Sequence, residues 1–327
     1  MGSMPMKPVS PFTSRDYVSF FFAGAVCCTI THGAMTPVDV VKTRIQVDPA
    51  YKNLNLISGT RYVIAKQGAQ ALLTGFGPTA VGYFVQGGAK FAGYEYWKAK
   101  SVKWVGSEDA VKYRTAIYLG SASIAEYFAD IFLTPLEATR IRLVSQQNYA
   151  TGLVSGFTRL AREGGVGELY AGFLPILCKF SVRTSRQPYI ILTPHRQIPY
   201  AIGQFTVNEF CHEVAFRAMS GKTRRNLSGA SKFSIQLGSG IIAGFAAAIL
   251  SHPADTLLSQ INKGYGPVGS MTHRLSVLAR QAGLRGLFAG LGPRMLMTAG
   301  LVSGQFVLYG SLKDVLGAPS GIEIHKE

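Results

Sequence analysis

The chain has 327 residues, of which 47% are hydrophobic and only 15% charged, and its mean hydropathy is +0.19. That balance is too apolar and too sparsely charged for an ordinary soluble domain. A net charge of +16 suits anionic lipid, an anionic substrate or nucleic acid, but Lys and Arg are scattered among apolar segments with no zinc-finger or RNP-type motif, which argues against nucleic acid.

No stretch of about 20 residues is uniformly apolar. The apolar runs instead carry Gly, Gln, His, Glu and Lys, as expected where one helix face meets lipid and the other meets water or protein. Residues 1–16 read as an N-terminal tail with no signal-peptide core and only a weak mitochondrial targeting signal. Cys27, Cys28, Cys178 and Cys211 lack zinc spacing and read as reduced packing residues, so neither a metal nor a cofactor is expected.

From residue 17 the chain falls into three look-alike units. The first, 17–104, runs through "YVSFFFAGAVCCTITHGAM" into "TPVDVVKTRIQ", with Pro37, Asp39, Lys42 and Arg44, then through "KQGAQALLTGFGPT" into a second apolar segment, "TAVGYFVQGGAKFAGYEYWK". The second, 113–218, has "TPLEATRIRL" with Pro135, Glu137, Arg140 and Arg142, then "REGGVGELYAGFLP" and "IPYAIGQFTVNEF". The third, 232–316, has "HPADTLLSQI" with Pro253 and Asp255, then "RQAGLRGLFAGLGPR" and "MLMTAGLVSGQFVLYGSLK"; residues 317–327 form a C-terminal tail. Successive prolines stand 98 and 118 residues apart, so the period is about 100 with surplus chain in the middle unit. Three helix–loop–helix copies make six candidate spans that must pack on one another.

Proline inside a helix removes a hydrogen bond and crowds a carbonyl, so each odd-numbered span is predicted to bend at Pro37, Pro135 or Pro253. The bends draw the charged ends around one axis, where an acid of one unit meets a base of the next and closes a cavity floor. Ion pairs in a wet cavity are marginal and therefore reopen. Leu258 stands where the third unit should carry its base, which leaves Asp39, Glu137 and Asp255 with Lys42 and Arg140 alone, a weakened gate.

Seven residues on a helix return to within about 20° of the starting direction, so His32 and Asp39 share a face. Glu126, Asp130 and Glu137 make a similar stripe on the third span. An ionised Asp facing lipid costs about 2.5–3.5 kcal/mol, which favours inward positions. His32, Asp39 and Glu126 are thus candidate proton carriers. Gln86 and Lys90, four apart on the second span, offer neutral donors and a charge to a small oxyanion. Each has a plainer alternative: a packing histidine, a structurally paired acid, a snorkelling lysine. "GYGPVG", Gly264 to Gly269, follows a helix rather than a strand and reads as a loop, while Gly240 and Gly244 read as close helix packing.

Px[DE] in triplicate, extended to Px[DE]xx[KR] in the first two copies and joined to [FY][DE]xx[KR]-like ends in "YEYWK" and "YGSLK", the latter with Gly for the acid, resembles the mitochondrial carrier family over nearly the whole chain. "THGAMTPVDVVKTRIQ", "GFGPTAVGYFVQGGAKFAGYE", "AEYFADIFLTPLEATRIRLVSQ", "QIPYAIGQF" and "SHPADTLLSQINK" are similar to its phosphate-transporting branch, the fungal members most closely. The resemblance implies an all-α membrane protein with six transmembrane helices in three pseudo-threefold repeats, multi-pass in the mitochondrial inner membrane. It implies import of inorganic phosphate with a proton, or in exchange for hydroxide, by alternating access, by a monomer in contact with anionic, cardiolipin-like lipid and without enzymatic activity. By alignment of helix ends it adds Gln305 opposite Lys90, and its fourth-span contact, a base followed by Gln before "IPY", falls on Arg196 and Gln197. A carrier of the same fold for another small anion or for copper, or a non-transporting membrane binding protein, are the alternatives.

The surplus lies at Phe180 to Arg196, and removing those 17 residues brings the spacing to 101 and restores "CKQIPY", with Lys179 as the contact base. It reads either as a genuine loop or as translated intron sequence. Pro188 and Pro194 are expected to break the fourth span if the segment is genuine.

Overall fold

Each Pro-x-acid motif lies inside an unbroken helix, and these three helices set the architecture. The structure, a computed structural model, describes residues 12–47, 49–51, 54–146, 149–170, 193–217, 219, 228–262, 271–288, 291–322 and 324. Among the described residues there are ten α-helices: α1 (Ser14–Val47), α2 (Leu56–Gln67), α3 (Phe76–Val105), α4 (Ser107–Lys112), α5 (Arg114–Ser145), α6 (Leu153–Leu169), α7 (Thr193–Arg217), α8 (Gly229–Asn262), α9 (Met271–Leu287) and α10 (Leu291–Val315). Helices α1, α5 and α8 carry the prolines 37, 135 and 253. The threonine before two of them donates to the carbonyl four residues back, Thr36 to His32 at 3.3 Å and Thr134 to Asp130 at 2.6 Å. Such back-bonding, like the proline itself, favours bending.

Six long helices close a ring. Around it α1 packs on α3, α3 on α5, α5 on α7, α7 on α8, α8 on α10, and α10 back on α1. The short helices α2, α6 and α9 each pack on the preceding Pro-bearing helix, which gives the ring a loop face; the other rim, where α1 starts and α10 ends, is its terminal face. The glycine-rich phrases find their physical reason here. Gly68 ends α2, and Gly165 and Gly283 kink α6 and α9 near their ends, with φ of 81°, 61° and 60° and ψ of 166°, −156° and −179°, a region open essentially to glycine alone. Three units thus turn the chain with one backbone conformation.

Glycine also sets the spacing between helices. A Cβ at Gly240 would lie 2.5 Å from Ser303 Cα and one at Gly244 2.5 Å from Ala299 Cα, so α8 and α10 touch backbone to backbone, as the GxxxG spacing predicts. Gly24 and Gly87 seat α1 on α3 in the same way.

A 34-residue helix is about 50 Å long, ample for a hydrocarbon core of about 30 Å. By length and composition α1, α5, α8 and α10 qualify as membrane spans. Helices α3 and α7 complete the ring, and α3 buries Gln86, Lys90, Glu95 and Lys98 inside it. Phe22, Ile30, Phe128, Phe132, Ile242 and Ile249 point outward and exposed, the lipid side of the same helices. Cys27 and Cys28 are buried free thiols and Cys211 is a half-buried one; Cys178 lies outside the described residues.

The surplus segment lies mostly outside the described residues, which resume at Thr193. Pro194 is the second residue of α7, where a missing N–H belongs to the unpaired first turn, and Pro188, with the expected break in the fourth span, lies outside the described residues. Gly264 to Gly269 likewise fall outside the described residues.

Candidate functional site

Midway along the ring, polar side chains from α1, α3, α5, α7 and α10 converge. Gln86 and Lys90, one turn apart on α3, both reach Glu126 of α5: Gln86 donates to Oε1 at 2.9 Å, and Lys90 Nζ lies 3.1 Å from Oε2. All three are buried, Glu126 completely. Removing both charges from water costs several kcal/mol each, and mutual neutralisation is what makes the pair tenable. Lys90 also lies 5.4 Å from the ring centres of Tyr200 and Phe205 on α7, so aromatic faces supply the rest of its surroundings. The snorkelling alternative for Lys90 does not hold.

The second half of this layer centres on Gln305 of α10. Its amide nitrogen is 3.2 Å from His32 Nε2 of α1 and 3.6 Å from Cys28 Sγ, while its oxygen accepts from Gln204 of α7 at 2.7 Å. His32 stacks on Tyr83 of α3, ring centres 3.6 Å apart and planes 6° from parallel. Asp130, one turn beyond Glu126, is fully buried. Helix α7 includes Arg196 and Gln197 in its first turn, but their side chains, and Lys179 entirely, lie outside the described residues.

Towards the loop face, Arg140 of α5 holds Asp39 of α1 at 3.0 Å, the pairing across neighbouring units that the motif predicts, and Glu137 of its own helix at 2.8 Å. Lys42 lies half-buried, one turn beyond Asp39. The third unit corrects the sequence reading. Asp255 is not left to Lys42 and Arg140: it pairs with Arg294 of α10, which also donates to Ser251 Oγ at 3.2 Å. A cation from the paired helix of the same unit thus makes good the base missing at Leu258, and the weakened gate does not follow. Arg44 serves elsewhere, donating to Gln67 of α2 at 2.7 Å and so tying the short helix down.

A third layer closes the terminal face. Phe91 and Tyr94 of α3, Phe205 of α7 and Phe306 and Tyr309 of α10 meet ring against ring at 4.2–6.2 Å. Such pairs contribute about 0.5–1.5 kcal/mol apiece beyond burial. Above them Lys98 bridges Glu95 of its own helix at 3.1 Å and Glu209 of α7 at 2.7 Å. Arg114 of α5 holds Glu213 of α7 at 2.7 Å.

Sequence reasoning puts Gln86 and Lys90 on one face and expects an acid of one unit to meet a base of the next; the structure joins Gln86 and Lys90 to Glu126, sets His32 beside Gln305, and pairs Asp39 with Arg140. It misses Gln204, Tyr83, Arg294 and Glu209. For Arg294 a signal existed: an arginine opening an apolar helix beside the one unit that lacks its base. For Gln204 the polar interruption of "IPYAIGQF" was the cue.

The family model described as "Mitochondrial carrier protein" matches residues 14–103, 111–185 and 229–320, one stretch per unit. A Dictyostelium discoideum protein, "Mitochondrial substrate carrier family protein N", is 41% identical over 93% of this chain and 96% of its own length. "Probable mitochondrial phosphate carrier protein" of Schizosaccharomyces pombe is 33% identical over 97% of this chain and 96% of its own, and "Solute carrier family 25 member 3" of Bos taurus 33% over 94% and 78%. Ring, threefold turns, motifs and relatives agree: this chain belongs to the mitochondrial carrier family, as a multi-pass transporter of the mitochondrial inner membrane and not an enzyme.

Proposed function

We propose that the protein imports inorganic phosphate together with a proton by alternating access, with the layer around Glu126 as its binding site. The observation that carries this is the bridge from Lys90 and Gln86 to one buried carboxylate. Glu126 occupies the donors an oxyanion needs. When it takes up a proton it lets go of Lys90, and dihydrogen phosphate takes its place on the same Nζ and the same Gln86 amide. Proton plus monoanion leave the net charge of the site unchanged, so the loaded and empty forms cross the membrane at equal electrical cost. A bare monoanion would instead work against about 2.3 kcal/mol per 100 mV.

Gln204 and Gln305 add neutral donors without further charge, which keeps binding weak enough for release, and His32 offers a second proton acceptor beside them. Arg196 with Gln197, or Lys179 with Gln197 in a chain without residues 180–196, completes the anion site in this reading. Asp39, Lys42, Glu137, Arg140 and Asp255 form the gate of the loop face, with Arg294 added, and the bends at Pro37, Pro135 and Pro253 let it open. The Schizosaccharomyces pombe relative, named as a probable phosphate carrier, supports the substrate. The chain acts as a monomer in contact with anionic lipid.

The test is uptake of labelled phosphate into vesicles holding the purified protein, driven by an alkaline interior and challenged with excess sulfate, chloride and copper. The proposal expects uptake that only phosphate-like oxyanions compete away. Uptake lost equally to any small anion, or none at all, would overturn it.

A further inference from the structure

The chain does not stop at α10. Gly317, with φ of +62°, turns it back over the helix end, where Ala318 N–H donates to the Lys313 carbonyl at 2.9 Å. Residues Ala318 to Gly321 then pass along a cavity of about 520 Å³ on the terminal face, lined also by Glu95, Glu209, His212, Gln236 and Lys313. The strap ends on the far side. Ile322 N–H donates to Glu95 Oε2 at 3.1 Å and Ile324 N–H to Tyr118 OH at 3.0 Å, so it ties α10 to α3 and α5 across the rim.

This contact is built rather than incidental. Ile322 and Ile324 are both buried, in an apolar cluster with Val102, Ala110, Ile117 and Tyr118 where α3, α4 and α5 meet. Gly321 lies so close to Glu95 that a Cβ there would sit 2.5 Å from Oε1. A backbone amide on an ionised carboxylate is a charge-assisted bond. The carboxylate it holds is the same Glu95 that receives Lys98, itself clamped on Glu209 of α7. One short segment therefore fastens helices of all three units to the network that shuts the terminal face.

We propose that residues 318–322 and 324 are a latch on the terminal-face gate, and that this gate opens only as the strap leaves Glu95 and its apolar seat. The inference rests on the alternating-access reading but not on phosphate. Two variants release the strap: deletion of residues 318–327, and Ile324→Asp, which places a carboxylate in the apolar seat and leaves the length of the chain intact. Each is combined with Gln236→Cys, whose side chain lines the cavity. A membrane-impermeant maleimide then reports opening in vesicles without any substrate, so a failure of the phosphate reading leaves this readout untouched.

Labelling of Gln236→Cys is expected to quicken about tenfold or more in both variants, the equivalent of about 1.4 kcal/mol in the opening equilibrium. Thermal unfolding in detergent checks that each variant is folded. Folded variants that label no faster than the parent overturn the latch, and should the deletion fail to fold, Ile324→Asp decides alone.

Discussion

Replacing Glu126 by Gln separates the two jobs assigned to that residue. Glutamine keeps the shape and an acceptor oxygen for Gln86, but it cannot neutralise Lys90, which is 4% exposed. Breaking a buried pair and leaving one charge behind costs about 3–5 kcal/mol. At 1.4 kcal/mol per factor of ten, the empty site becomes about two to three and a half orders of magnitude harder to form. Net uptake needs the empty carrier to return; exchange of internal for external phosphate does not, because Lys90 then always meets an anion. The variant should therefore lose pH-driven net uptake by about a hundredfold or more while phosphate–phosphate exchange falls far less. Both rates are read in one vesicle preparation with labelled phosphate. Equal losses in the two modes, or net uptake close to the parent's, would refute the reasoning.

Three further outcomes follow from the same geometry. Arg294→Ala strips Asp255 of the cation found beside it and should destabilise the folded protein by about 3–5 kcal/mol, seen as a lower midpoint in thermal unfolding; Leu258→Lys in that background should recover part of the loss by restoring the third base. Gly244→Leu drives a side chain into the Ala299 backbone and should prevent α8 from seating on α10, with loss of folded yield rather than a change in transport kinetics. Deletion of residues 180–196 restores the period and the "CKQIPY" junction, and the shortened chain should take up phosphate at least as fast as the full one; abolished uptake would mark the segment as a working part of the fourth span.

Much of the ring was legible because it is written three times. The proline, the acid three residues after the threonine or histidine that opens each motif, and the glycine phrase repeat at nearly fixed spacing, and a repeated unit cannot bury its apolar face alone. Gln86 and Lys90 were legible for a local reason: one turn apart on an apolar helix, they have to share a face. What lay beyond reading was which residue each one meets. Lys98 reaches Glu209 over 111 positions and Gln204 reaches Gln305 over 101, distances at which partners depend on how far each helix is rotated. Asp255 shows the same limit inside one unit. A search for its base within the motif stops at Leu258, whereas the base stands on the returning helix, at Arg294. The strap escaped because Ile322 and Ile324 look like a polar tail's stray apolar residues until α3, α4 and α5 supply the seat.

Charge moved per phosphate is the most direct measure of the central claim, that one protonated carboxylate accompanies each anion through a ring gated at both ends. Vesicles containing the protein, an internal pH dye and a potassium–valinomycin clamp allow phosphate, protons and voltage to be followed together. One proton should enter per dihydrogen phosphate, at a rate that follows the pH gradient and ignores the clamped voltage. Phosphate entry that tracks the clamped voltage and persists unchanged when the pH gradient is removed would contradict the account.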